Sequence, residues 1–200
     1  TNPPIDPIRE RAVMSLKTTI GPGANPLDET PEQCHRLTHY RPVITEHELE
    51  KVKALSEGLL EATTLSLLFD AEASGAPLEA ALEQLCLDAE RAIDEGYSIL
   101  ILSDRGVRSS RAAIPALLAT SAVHHHLIRN GTRLCVGLVV ETGDAREVHH
   151  FALLLGYGAS AVCPYLALEH VRAIGEEHQR SAQTAVDAYL KALDGGLLKV

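Results

Sequence analysis

The sequence predicts an α/β fold with four or so βα units and a mainly parallel sheet. Short apolar runs alternate with longer stretches of helical periodicity. The runs are apolar at nearly every position, as is typical of parallel strands that helices cover on both faces. Four strands are too few to close an eight-stranded barrel, so we expect an open sheet or a partial, rudimentary βα barrel.

A proline-rich arm precedes these units and predicts a boundary near residue 45. Residues 1–45 hold seven of the ten prolines, which fix φ and remove a hydrogen-bond donor. Apolar residues lie between the prolines, so we expect the arm to pack on the domain or on a neighbouring domain. Asp6 as N-cap and Pro7 at the first helical position predict a short helix over residues 6–16. Residues 46–200 form the predicted α/β domain.

Local signals set the predicted elements of that domain. Thr45 followed by Glu48 predicts a capping box, and Gly96 and Gly131 predict the ends of two helices. The predicted helices span residues 45–55, 77–95, 114–130, 145–155, 164–174 and 181–193. The predicted strands span residues 62–69, 97–102, 134–140 and 159–163.

Composition excludes several classes of function. The formal net charge is −9 and only 4% of residues are aromatic, which argues against binding to nucleic acid or anionic lipid. No apolar run approaches the roughly 20 residues that span a bilayer, and no signal peptide is visible. We therefore expect a cytoplasmic chain with no membrane partner.

The four cysteines indicate neither a disulfide framework nor a metal motif. Cys34, Cys86, Cys135 and Cys163 lie far apart, without a C-x-x-C pair. The last three fall in apolar helical or strand-like runs. We expect those three to be buried as small hydrophobic side chains.

Polar residues follow the predicted strands, at the edge where α/β sheets bind ligands. Asp104 and Arg105 follow one strand and Glu141 follows the next. Helix caps, loop structure or interdomain contacts explain them best, and small-molecule chemistry remains an alternative. No G-x-G-x-x-G, Walker loop or G-x-S-x-G motif is present, so no catalytic or cofactor-binding residue is assigned.

Two histidine clusters, at residues 124–126 and 149–150, suggest a metal site at first sight. Three consecutive helical residues spread over about 200° of the helix and cannot converge on one ion. Structural or interface roles are favoured, with metal binding and proton transfer as alternatives. Arg146, Glu147 and His149 are candidates for contacts between domains.

Several strings resemble the large subunit of the glutamate synthase family, in its central domain. The resemblance extends over the whole chain and is weakest at residues 70–97. It rests on TNPPIDPIRE (1–10), VMSL (13–16), ILSDR (101–105), IPALLA (114–119), AVHHHLIR (122–129), VVETGDAREVHHFA (139–152), LGYGA (155–159) and PYLA (164–167).

The resemblance implies a role as a linking domain. In that family an amidotransferase domain with a terminal cysteine hydrolyses glutamine, and ammonia passes through a tunnel to an FMN-binding domain that forms glutamate from 2-oxoglutarate. The central domain joins the two and is a rudimentary relative of the flavin-binding barrel. FMN and an iron–sulfur cluster are expected in the rest of the enzyme, and no metal or cofactor in this chain.

Two expectations follow for the chain by itself. It begins at Thr1 without Met and ends on an apolar run, so we expect both ends to be edges of a larger polypeptide. The resemblance implies that the isolated chain is inactive, because it has no amino-terminal cysteine and the family's FMN contacts are expected after Val200. The alternative is a stand-alone α/β enzyme or small-ligand-binding domain. Its site would lie at the strand carboxyl ends and would use Asp104, Arg105, Glu141 and the histidines.

Overall fold

The fold is built around a five-stranded sheet in which four neighbouring strands are parallel. A computed structural model describes residues 14–23, 25, 27–28, 30–58, 60–72 and 74–200. The helices α1–α6 span Glu46–Lys53, Pro77–Asp94, Ala116–Arg129, Val148–Gly156, Tyr165–Glu177 and Ala182–Leu197. The strands β1–β9 span Thr18–Ile20, Leu37–His39, Ser56–Glu57, Leu60–Ser66, Leu68–Asp70, Ile99–Ser103, Arg111–Ala113, Gly137–Glu141 and Ala161–Cys163.

The parallel strands lie side by side in the order in which they occur along the chain. The sheet order is β3-β4-β6-β8-β9, with β4, β6, β8 and β9 parallel. Helices α2, α3 and α4 connect successive parallel strands, and α5 follows the last one. Consecutive order without a reversal is the arrangement of neighbouring strands in a βα barrel. The predicted α/β class and partial-barrel architecture are confirmed.

Each face of the sheet packs against different elements. Leu100, Leu102 and Leu138 point to one face, which we call the outer face, and share a buried cluster with side chains of α2 and α3. Alternate residues such as Ile101 and Val139 point to the opposite, inner face. The two-sided burial explains why these strands are apolar at nearly every position.

The inner face is covered by elements from the first third of the chain. Ile20 of β1 and Leu49 and Val52 of α1 belong to the same buried cluster as Ile101 and Val139. The hairpin of β1 and β2 approaches so closely that a Cβ atom added at Gly137 would collide with the backbone of Gly21. In a closed barrel this face would line the interior, whereas here α1 and the hairpin fill that space.

Both edges of the four parallel strands are paired. Strand β3 pairs antiparallel with β4. At the opposite edge the amide of Val162 donates to the Pro42 carbonyl (2.8 Å), and the amide of Ile44 donates to the Val162 carbonyl (2.9 Å). Unpaired edge strands invite association with other chains, and these contacts cover part of each edge of the sheet.

The structure corrects several local predictions. The predicted strand 62–69 is two strands, because the chain leaves the sheet after Ser66 and β5 pairs antiparallel with β7 instead. The predicted strand 134–140 begins only at Gly137, after a 3₁₀ turn over Arg133–Cys135. Cys135 is therefore exposed, and its predicted burial was wrong, whereas Cys86 and Cys163 are buried. Helix α4 starts at Val148 rather than at residue 145.

The arm is described only in part. The helix predicted over residues 6–16 lies mostly outside the described residues, and residues 14–17 have no regular structure. The boundary predicted at residue 45 stays a prediction. Ile20, which lies within the predicted arm, is only 2% exposed and belongs to the buried cluster on the inner face of the sheet.

The predicted capping box at the start of α1 is present: the Thr45 amide donates to Glu48 Oε2 (2.7 Å), and the Glu48 amide donates to Thr45 Oγ1 (3.3 Å). No helix in the described ranges is long and apolar enough to cross a membrane.

Candidate functional site

Strands β6 and β8 end side by side and bring the predicted site residues Arg105 and Glu141 together. Ser103 and Glu141 are partners in the parallel register, and Cys163 of β9 is the next partner of Glu141. All three side chains therefore point to the inner face at the carboxyl edge. This is the edge at which barrel enzymes place their chemistry.

Glu141 is the most deeply buried acid at this edge, with 1% of its surface exposed. Its Oε2 atom accepts a hydrogen bond from Ser103 Oγ at 2.7 Å and lies 3.1 Å from Lys53 Nζ. Its Oε1 atom accepts from Arg105 Nε and, at 3.2 Å, from Lys53 Nζ. Both carboxylate oxygens are thus engaged, as a buried charge requires.

The surroundings of Glu141 keep it ionised. Burial by itself would raise the pKa of this carboxyl, but hydrogen bonds from Arg105, Ser103 and Lys53 outweigh burial and lower it below the ordinary value. Burial by itself would lower the pKa of Arg105 and Lys53, but Glu141 and Glu46 raise the pKa of Arg105, and Glu50 and Glu141 raise that of Lys53. At neutral pH Glu141 is a fixed anion and not a proton donor.

Glu46 extends the ionic contacts from α1 to α5. It accepts from Arg105 Nη2 through Oε1 (2.7 Å) and from Arg172 Nη1 through Oε2 (2.6 Å). Arg105 also stacks over the Tyr165 ring, with Cζ 4.0 Å from its centroid. Hereafter, the strand-end network means the ionic and hydrogen-bonded group formed by Glu46, Lys53, Ser103, Arg105, Glu141 and Arg172.

Asp104 forms a second, separate buried cluster beside this network. It is 4% exposed and accepts from Thr142 Oγ1 at 2.6 Å and from the Gly143 amide at 3.0 Å. Burial, reinforced by the nearby carboxylate of Asp104, raises the pKa of the Tyr165 phenol. Asp104 therefore fixes the loop after β8 in the way a turn-stabilising carboxylate does.

The buried thiol at this edge is inert. Burial, reinforced by Glu141 and Glu46, raises the pKa of Cys163 to about 12. A nucleophilic cysteine needs the opposite shift, because only the thiolate attacks. The carboxyl edge thus contains ion pairs and a protonated thiol. Both buried carboxylates there, Glu141 and Asp104, accept hydrogen bonds from other groups of the protein.

The other three predicted site residues lie elsewhere, at the start of α4. The backbone amides of Arg146 and Glu147 donate to Nδ1 of His150, at 3.2 and 3.3 Å, and Tyr189 donates to the Arg146 carbonyl at 2.9 Å. His149 is exposed. These residues do not join the strand-end network, and their role in interdomain contacts stays a prediction.

The histidines of α3 contact three different partners. His124 Nδ1 accepts from Arg133 Nε (2.8 Å), His125 Nδ1 lies 2.8 Å from the Ser121 carbonyl, and His126 Nε2 lies 3.3 Å from Glu90. Across the residues that the structure describes, no three His, Cys, Asp or Glu side chains come together as metal ligands. The described part of the chain therefore offers no fit for a metal ion or an iron–sulfur cluster.

Sequence reasoning missed four members of the network as site residues: Glu46, Lys53, Ser103 and Arg172. A signal existed for the first two, because residues seven apart lie on one face of a helix and α1 carries Glu46 and Lys53 at that spacing. Nothing local indicated Arg172, whose contact with Glu46 spans 126 residues.

Fold and site together define a partial βα-barrel domain whose polar edge is closed by its own ion pairs. The family model described as "Glutamate synthase central domain" matches residues 1–200. The chain belongs to this family.

Curated relatives agree with the family match. The chain is 42% identical over 206 residues to "Glutamate synthase [NADH]" of Schizosaccharomyces pombe, and 40% identical over 202 residues to "Glutamate synthase [NADPH] large chain" of Bacillus subtilis. It is 41% identical over 215 residues to "Ferredoxin-dependent glutamate synthase, chloroplastic" of Spinacia oleracea. Each match covers 100% of this chain but only 10%, 13% and 13% of these relatives, respectively.

Proposed function

We propose that this chain is the central linking domain of a glutamate synthase. It joins the amidotransferase domain, which releases ammonia from glutamine, to the FMN-binding domain, which forms glutamate from ammonia and 2-oxoglutarate. It helps to shape the passage of ammonia between them and catalyses neither half-reaction by itself. FMN and the iron–sulfur cluster belong to other parts of the same polypeptide.

The observation that carries this proposal is the strand-end network. A catalytic carboxylate needs a free oxygen or a pKa near the working pH. Glu141 has neither, because Lys53, Arg105 and Ser103 engage both of its oxygens and its pKa is lowered. The edge that holds the active site in barrel enzymes is used here to fasten α1 and α5 to the sheet.

The same contacts count against a stand-alone enzyme or a small-ligand site at this edge. A ligand would have to displace a buried ion pair or separate Asp104 from Thr142 and Gly143. Leaving the buried charge of Glu141 without its partly exposed partners costs about 2–3 kcal/mol. The contacts of a small ligand would have to offset this free-energy cost before the ligand showed any net binding.

The first experiment compares the isolated chain with a whole glutamate synthase that carries it. After circular dichroism has verified folding, the chain is supplied with glutamine, 2-oxoglutarate and a reductant, and glutamate is measured. We expect no turnover by the isolated chain and full turnover by the whole enzyme. Glutamate formation by the isolated chain would overturn the proposal.

A second experiment tests the linking role in the whole enzyme. The two half-reactions are followed together as glutamine hydrolysed and as glutamate formed from 2-oxoglutarate. A variant that loosens this domain, Glu46→Gln, is expected to release ammonia and raise the ratio of glutamine hydrolysed to 2-oxoglutarate consumed. The matched control Glu176→Gln alters an exposed carboxylate of α5 and should leave the ratio unchanged. An unchanged ratio in both variants would contradict a role in ammonia transfer.

A further inference from the structure

Two neighbouring clefts lie on the surface of helices α5 and α6 and share Val171 as a lining residue. One cleft, of about 470 Å³, begins at Gly143 and Arg146 near the carboxyl edge of the sheet. The other, of about 520 Å³, ends at Arg180 beyond the last turn of α5. Val171 lines both clefts. We call the surface made by these two adjacent clefts, from Arg146 past Val171 to Arg180, the α5–α6 groove.

Small residues at the helix contact create the groove. A Cβ atom added at Gly175 would lie 2.7 Å from the Cβ atom of Ala185, so the two helices approach as closely as glycine permits. Ala185 and Ala188 of α6 then leave space beside the larger side chains of α5. Close approach at one point and short side chains beside it produce a long, shallow depression rather than a closed cavity.

The α5 side of the groove carries an apolar stripe at helical spacing. Ala167, Val171 and Ile174 follow one another at intervals of four and three residues, and His178 continues the series. Ile174 is 42% exposed, and Leu166 beside the stripe is 52% exposed. From Leu166 to His178 the helix rises about 18 Å, the length of roughly three helical turns.

The charge of the groove has one sign. Apart from Tyr189, the titratable residues that line the groove are Arg146, His170, His178 and Arg180. No carboxylate is among the lining residues. This contrasts with a formal net charge of −9 for the whole chain. Such a rim favours a partner whose flanks are acidic, because complementary charge gives orientation and specificity.

We propose that the α5–α6 groove receives an amphipathic helix from the remainder of the glutamate synthase polypeptide. The helix carries apolar side chains at positions i, i+3 or i+4, and i+7, and Asp or Glu on both flanks. The inference rests on the proposed function. The relatives have ample chain to supply this helix, since the matches cover only 10% to 14% of their length.

The test measures cysteine labelling in the assembled glutamate synthase. Ile174→Cys places a thiol in the groove, and the matched control Ile128→Cys places one on α3, where the native side chain is 51% exposed. A maleimide is added to native and urea-unfolded enzyme, and mass spectrometry follows each labelled peptide. We expect Ile174→Cys to react at least about tenfold more slowly than the control in the native enzyme, which corresponds to about 1.4 kcal/mol. Labelling within about threefold of the control, a difference below roughly 0.7 kcal/mol, would overturn the proposal.

A second set of variants keeps the test decisive if Ile174→Cys does not fold. Ala188→Cys, at an exposed groove position of α6, should show the same protection. Arg146→Glu combined with Arg180→Glu should repel the acidic helix and speed labelling of Ala188→Cys. Unchanged labelling would contradict the acidic flanks. Protection that disappears on dilution would identify a second copy of the chain as the occupant and would overturn the proposal.

These outcomes are distinguishable from failure of the proposed function. Turnover by the isolated chain would remove the linking role whatever the labelling shows. If the isolated chain is inactive and the whole enzyme is active while Ile174→Cys is labelled as fast as Ile128→Cys, only the groove proposal fails.

Discussion

Lys53 Nζ lies 3.1 Å from Oε2 of Glu141, a contact that fastens the last turn of α1 to the end of β8. Glu46, in the first turn of the same helix, contacts Arg105 and Arg172. Helix α1 is therefore anchored at both ends over the inner face of the sheet. Its apolar residues Leu49 and Val52 lie between the two anchors and are buried.

Replacing Glu141 by glutamine should destabilise the domain. The substitution would keep the size of the side chain but lose the charge that Arg105 and Lys53 face, and one oxygen acceptor would become an amide donor. We expect a loss of about 2–3 kcal/mol in the free energy of unfolding, measured by urea denaturation. The cost stays below that of a fully buried pair because Arg105 and Lys53 are 42% and 25% exposed and can be hydrated.

The control for this prediction is Glu176→Gln, which changes an exposed carboxylate of α5. Surface substitutions of this kind usually stay within about 0.5 kcal/mol. Equal urea midpoints for the two variants would show that Glu141 contributes nothing particular to stability.

Stability should fall as the pH is lowered into the acid range. Burial by itself would raise the pKa of Glu46, Glu48 and Glu141. Contacts with positive groups or hydrogen-bond donors outweigh burial and lower the pKa of each carboxyl below the ordinary 4.5. Their contribution is therefore fully present above about pH 4.5 and is lost as the pH falls through the folded-state values. Asp194, whose pKa is raised by burial, acts in the opposite sense.

Urea unfolding at a series of pH values between about 6 and 3 tests this linkage. We expect a declining free energy of unfolding in the parent chain and a shallower decline in Glu141→Gln, because one of the carboxylates with a lowered pKa is gone. Parallel curves for the two proteins would contradict the assignment of Glu141.

Gly137 should tolerate no side chain. A methyl group at this position would collide with the backbone of Gly21 and force the β1–β2 hairpin away from the inner face. We expect Gly137→Ala to cost about 1–3 kcal/mol, the range for overpacked cores. The matched control is Gly156→Ala at the end of α4, where an added Cβ atom meets nothing within 4 Å. Thermal unfolding should separate the two variants, and equal melting temperatures would count against the close packing of the hairpin.

The four cysteines should react in two classes. Cys34 and Cys135 are exposed, whereas Cys86 and Cys163 are buried and burial raises the pKa of both thiols. We expect a thiol reagent at pH 8 to label the first pair in seconds to minutes and the second pair only when the protein unfolds. Rapid labelling of Cys163 in the native chain would show that the carboxyl edge is open to solvent.

Local signals made the helices and the order of the parallel strands predictable. Pro77 at the first helical position and Gly96 after the last turn bounded α2 to within one residue of its observed end at Asp94. Strands buried on both faces were evident as continuous apolar runs. The short antiparallel pairs were not predictable, because a three-residue strand such as β5 or β7 has no periodicity and its pairing depends on a distant partner.

Only the residues of the candidate site that lie at the strand ends could be predicted from the sequence. Asp104, Arg105 and Glu141 follow two neighbouring strands, so parallel topology alone brings them to one edge. Lys53 is 88 residues from Glu141 in sequence, and its contact depends on how α1 packs on the inner face. The sequence of α1 indicates an amphipathic helix but not the surface that it covers. Arg146, Glu147 and His149, the candidates for contacts between domains, lie at the start of α4 and away from the strand-end network.

The most direct test of the structural role of the strand-end network uses Glu141→Gln in the whole glutamate synthase. Glutamate formation from 2-oxoglutarate is measured well below the melting temperature with ammonia supplied directly, and thermal unfolding of the same preparation is followed in parallel. A structural role predicts a lowered melting temperature and a kcat within about twofold of the parent enzyme, equivalent to roughly 0.4 kcal/mol in the barrier. An unchanged melting temperature with a kcat reduced about 100-fold or more, the size of effect expected for a lost general acid or base, would contradict it.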